Sequence, residues 1–107
     1  MTSHGLARDY LRKAKARRRA LETLLEVESY DDVVQEAQEI VELILKGVLH
    51  YVGVDPPRRH DIGATLKDVG DRLPPVWRDR LDHIETISRA LFEERGHALY
   101  GGETRRP

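Results

Sequence analysis

The sequence predicts an all-α protein, an antiparallel up-down bundle of four helices, one of them short. Three observations carry this. Apolar residues recur at three- and four-residue intervals over long stretches. Gly53, Pro56-Pro57 and Pro74-Pro75 punctuate the chain between those stretches. No segment alternates apolar and polar residues as a half-buried strand does. The 107 residues suit one domain over residues 1–107. With 39% hydrophobic and 35% charged residues, a small core lies under a large solvated surface.

The first helix is expected from about Gly5 to Glu28, on an apolar stripe of Leu6, Tyr10, Leu11, Ala14, Leu21, Leu24 and Leu25. Arg17, Arg18 and Arg19 interrupt that stripe. Ser29-Tyr30-Asp31-Asp32 reads as a turn and cap, with the Ser29 hydroxyl accepting from the Asp32 amide and the acids at the helix's positive end. The second helix then runs to about Val52. Val34, Ala37, Val41, Ile44, Leu45, Val48 and Val52 form its main face, widened by Ile40, Leu43 and Leu49. A helix apolar over so much of its circumference belongs in mid-bundle or at a subunit contact. Glu42 and Lys46 stand four apart in the favourable order for pairing.

Gly53 and Pro56-Pro57 stop this helix. Asp61 is the expected cap of a short third helix, about Ile62 to Leu73, carrying Ile62, Leu66 and Val69. Pro75 suits the first turn of a last helix reaching about Ala98, with Trp77, Leu81, Ile84, Ile87, Leu91 and Phe92 as its core side. Residues 103–107 read as a flexible tail.

Net charge is −1, so no global charge marks a nucleic-acid binder. Locally the charge is polarised. Arg8, Arg12, Lys13, Lys15, Arg17, Arg18 and Arg19 are opposed only by Asp9, and eight acids from Glu22 to Glu42 follow without a base between them. The basic block can meet phosphates, or the two blocks can face each other across adjacent helices or a subunit contact. The chain has no cysteine, which removes disulfides and thiolate metal sites. Met1 to Ala7 lacks the apolar core of a signal peptide, and no apolar run approaches the ~20 residues that span a bilayer. The expected location is cytoplasmic, with no membrane attachment.

The stretch from Tyr30 to Leu66 resembles the HEPN family of prokaryotic helical domains. The residues that carry the resemblance are Tyr30, Ala37-Gln38-Glu39, Glu42, Lys46, Pro57 and His60-Asp61. The closing ERGHALYGGE is similar to the family's Tyr-Gly ending, with Gly96 where glutamate is usual. The likeness extends over roughly Ala7 to Glu103. It implies a dimerising helical bundle associated with nucleotides or nucleic acid, often working with a nucleotidyltransferase partner as a toxin–antitoxin pair. Active toxins of the family are metal-independent ribonucleases. Their signature is an Arg, a polar residue, and a His some way beyond, near the start of the last long helix.

Arg78-Asp79-Arg80-Leu81-Asp82-His83 matches that signature. In such a site His83 serves as general base or acid, Arg78 holds the phosphate, and the RNA's own 2′-hydroxyl attacks. Geometry sets a condition. In an unbroken helix residues five apart point about 140° from each other, so both reach one phosphate only if the helix is distorted between them. Asp79 and Asp82 also bring negative charge to the place a phosphate would occupy.

Further candidates for anion or nucleotide contact are Arg58, Arg59 and His60 before the third helix, and Arg95, His97 and Tyr100 near the end. The plain alternatives are a solvated basic turn and basic residues facing a negative helix end. His60-Asp61-Ile62-Gly63 also spells the motif of HD-type metal phosphohydrolases, but His50 is the only near upstream metal ligand and the intervening loop places it poorly. No metal or other cofactor is expected. A structural helical adaptor without catalysis is the remaining reading.

Overall fold

The computed structural model describes residues 3–57 and 62–96. Five α-helices are arranged as α1 (Ser3–Glu26), α2 (Tyr30–Tyr51), α3 (Ile62–Asp68), α4 (Pro75–Arg78) and α5 (Leu81–Gly96), with a single 3-10 turn at Gly70–Arg72. Among the described residues there is no strand. The all-α bundle expected from the sequence is therefore present. Its fourth helix, however, comes in two pieces.

Helices α1 and α2 form an antiparallel hairpin. Its turn is closed by Glu28, whose positive φ of 59° lets the Ser29 amide reach the Leu24 carbonyl and the Glu28 amide reach the Leu25 carbonyl. This is the Schellman closure, made by a residue with a Cβ where glycine is the usual choice. Helix α2 ends the same way. Gly53 at φ 80° donates to the His50 carbonyl, and Val54 donates to that of Leu49. Ser29 departs from expectation: its hydroxyl donates to the Asp32 carboxylate, and no side chain caps α2. At φ −86° and ψ 75° Ser29 lies outside the extended conformation a capping residue normally holds.

The α1 face that meets α2 is narrower than the expected stripe. Ala7 and Ala14 are buried, Leu6, Tyr10, Leu21 and Leu24 are half-buried, and Leu11 and Leu25 lie exposed. Small residues allow a close approach. A Cβ at Gly47 would stand 3.3 Å from the Tyr10 Cβ and 3.4 Å from the Ala7 carbonyl oxygen. Along the seam Tyr10 stacks on His50, His4 stacks on Tyr51, and Arg17 bridges to Glu36 at 3.2 Å.

The other side of α2 builds the main core. Leu45 and Leu49 join Leu66 of α3 and Leu73, and Val41, Val48, Val52, Val69, Trp77, Leu81 and Ile84 pack around them. Each fully buried leucine contributes on the order of 2 kcal/mol. Phe92, expected in this core, is instead 45% exposed, because the leucine cluster closes nearer the start of α5. Gln38, Glu42 and Ser88 are buried polar residues, and the Gln38 amide donates to Glu42 at 2.8 Å. No helix is long and apolar enough to cross a membrane among the described residues.

Candidate functional site

The motif from Arg78 to His83 begins at a proline pair. Pro74 holds φ −57° and ψ 151°, and Pro75 opens α4 at a position where a missing amide costs nothing. Four residues later α4 is over. The Arg78 and Asp79 amides still reach the carbonyls of Pro74 and Pro75, but that of Arg80 closes back on Trp77, three residues away. Asp79 and Arg80 form a turn and α5 starts afresh at Leu81, with the Ile84 amide on the Arg80 carbonyl.

Packing explains the restart. Gly70 is buried against Leu81, where an added Cβ would lie 2.8 Å from the Leu81 Cδ1. The missing side chain admits Leu81, while Trp77 holds the end of α4 on the same core. Two anchors on one rigid cluster thus fix the turn between them. Regular helix is therefore interrupted between Arg78 and His83.

Arg78 is exposed, and its Nε donates to the Leu73 carbonyl at 3.3 Å, tethering the guanidinium to the loop. Its two terminal nitrogens have no partner among the described residues. His83 is exposed in the first turn of α5. Asp82 is tied by Lys67 of α3, Nζ to Oδ1 at 3.0 Å. The Lys67 ammonium lies 3.8 Å from Glu85, which also receives Arg89 at 2.7 Å. The hydrogen bond Lys67 donates to Asp82, then the charges of Asp82 and Glu85, hold the Lys67 pKa above its ordinary 10.5. Lys67 therefore offsets one of the two carboxylates near the motif. Nothing about an isolated lysine in a short helix signalled this role in the sequence.

Beside the turn lies an apolar face. One groove of about 190 Å³ is lined by Val41, Ile44, Leu45, Trp77, Ile84 and Ile87. A second, of about 290 Å³, shares Trp77 and Ile84 and adds Val76 and Arg80. Val76 is 61% exposed.

Arg58, Arg59, His60, His97 and Tyr100 lie outside the described residues, as do Asp61, the side chain of Arg95 and the 103–107 tail. His50, the upstream histidine considered for a metal, has its ring stacked on Tyr10 at 5.4 Å. Among the described residues no three His, Asp or Glu side chains come together as metal ligands.

Comparison with known proteins returns one family. The model of the HEPN domain matches residues 7–105, nearly the whole chain. No curated protein and no solved structure matches.

Proposed function

We propose that this chain, which belongs to the HEPN-domain family, is a nucleic-acid-associated module that cleaves RNA at its α4–α5 turn. The observation that supports this most is the helix break between Arg78 and His83. A continuous helix would point the two side chains about 140° apart; in this reading the break is what turns them towards one phosphate. His83 takes the proton of a ribose 2′-hydroxyl, the 2′-oxygen attacks the adjacent phosphorus, and the bond to the 5′-oxygen breaks as that oxygen takes a proton from water, with His83 returning its own proton to solvent. The products are a 2′,3′-cyclic phosphate and a 5′-hydroxyl. Arg78 carries the growing charge on the phosphoryl oxygens through its terminal nitrogens. No step draws on a metal ion.

A homodimer completes this reading. The apolar face of Val41, Ile44, Val76, Trp77, Ile84 and Ile87 borders the turn, so a two-fold contact there brings two motifs to one cleft. Ile87→Glu is expected to give a monomer in sedimentation; a monomeric parent protein would remove the dimer. The family likeness adds a nucleotidyltransferase-type partner in a toxin–antitoxin pair, which co-purification from the native host tests directly.

The reading is tested with purified protein and RNA in excess EDTA, beside Arg78→Ala and His83→Ala. Cleavage by the parent and not by the variants is the expected result. Cleavage retained in His83→Ala contradicts the assignment. No cleavage by any of the three moves the weight to a binding or adaptor role.

A further inference from the structure

The basic block of α1 is sorted by the fold. Arg17 turns into the seam and is consumed by Glu36. Arg8, Arg12, Lys15 and Arg19 are spaced by four, three and four residues and are all exposed. On a helix these positions fall within about 60° of each other, and successive cations rise by roughly 4.5–6 Å along the axis. They form one straight stripe on the side of α1 turned away from Ala7, Ala14 and Leu21, and hence from α2. Only Arg12 has an ionic neighbour, Asp9 at a loose 3.7 Å; Arg8, Lys15 and Arg19 have none among the described residues. The stripe stops sharply where Glu22 and Glu26 begin.

We propose that Arg8, Arg12, Lys15 and Arg19 form a binding site for the phosphodiester backbone of a nucleic acid strand, separate from the α4–α5 turn. The inference rests on the nucleic-acid reading above only for its choice of ligand. Charge complementarity and shape favour this occupant. The row of cations matches a row of evenly spaced anions, and three of the four are arginines, whose planar fork grips phosphate in two places. An acidic protein would want an apolar anchor, since tight protein contacts centre on buried aromatic or aliphatic side chains. The stripe's neighbours are Ala16, Ala20 and Thr23 on one flank and Leu11 on the other, a single aliphatic side chain with no aromatic beside it. A backbone contact needs no such anchor, and it reads charge without reading bases.

The test is fluorescence anisotropy with a short labelled 2′-O-methyl RNA, which cannot be cleaved, so a failure of the ribonuclease reading leaves the outcome untouched. The protein is compared with a variant carrying Arg8→Gln, Arg12→Gln, Lys15→Gln and Arg19→Gln, changes that keep helix propensity. With four phosphates contacted on a single strand, the slope of log K against log salt is expected to fall in magnitude by roughly 3 in the variant. Affinity is expected to drop tenfold or more, on the order of 1.4 kcal/mol. Arg17→Gln, whose guanidinium is held by Glu36, should bind as the parent does. A matched DNA strand should bind within about tenfold of the RNA, because the stripe reads phosphate charge. An unchanged salt slope in the fourfold variant overturns the proposal. So does loss of DNA binding with RNA binding kept, or polyglutamate binding as tightly as RNA.

Discussion

Towards α1, helix α2 presents Gly47, His50 and Glu36; towards α3, α4 and α5 it presents Leu45 and Leu49. The first face works by closeness and specific pairing: a glycine that lets backbones approach, two His–Tyr stacks and an ion pair. The second works by apolar volume. The difference teaches where each half of the molecule gets its rigidity. The hairpin face aligns two long helices and leaves the far side of α1 to solvent. The leucine face fixes short, irregular pieces, including the α4–α5 turn that no local preference would hold.

The sharpest way to break the comparison is at the leucines. Leu66→Ala removes a fully buried side chain and should cost about 3 kcal/mol in denaturant unfolding. A cost under about 1 kcal/mol would mean this core is not closed. On the other face, Gly47→Ala sets two effects against each other. The new methyl gains about 1 kcal/mol of helix propensity, and crowding against Tyr10 and the Ala7 carbonyl costs about 2 kcal/mol. The net expectation is a loss of about 1 kcal/mol; a more stable variant would show that the helices approach less closely than described.

The two helix ends sharpen the contrast further. Gly53→Ala places a Cβ at positive φ with open space around it, so the strain alone should cost about 1 kcal/mol. Glu28→Gly relieves the same strain at the end of α1 and should gain roughly 0.5 kcal/mol. Thermal melts that moved both variants in one direction would contradict the shared closure.

The smallest effect concerns Lys67. Its pKa is raised in the folded state, so its contribution to stability is present below the unfolded value of 10.5 and is lost as pH rises through the folded value. Lys67→Met should therefore flatten stability against pH only in the alkaline range above about 10. A change confined to acid pH would assign the effect to another group.

The long elements were legible because their signals are local. Gly53 ends α2 where its conformational freedom predicts, and the periodicity from Val34 to Val52 finds the central helix. At the hairpin seam Ala14 is buried as its place on the stripe predicts, but close helix approach also buries the small Ala7 and leaves the larger Leu11 and Leu25 exposed. The break before α5 was invisible in the residues themselves. Trp77, Leu81 and Ile84 keep helical spacing straight through it, and its cause sits elsewhere, in the room Gly70 leaves for Leu81. Arg78 and His83 could be read as a pair from their order in the sequence, but not the interruption of the helix between them.

Whether Arg78 and His83 share one phosphate is decided by NMR titration with an uncleavable 2′-deoxy dinucleotide. The Arg78 side-chain Nε–H and the His83 ring signals are expected to shift together, with one common dissociation constant. Shifts that saturate at different concentrations, or a His83 ring that does not respond while Arg78 does, would contradict a shared phosphate site at the α4–α5 turn.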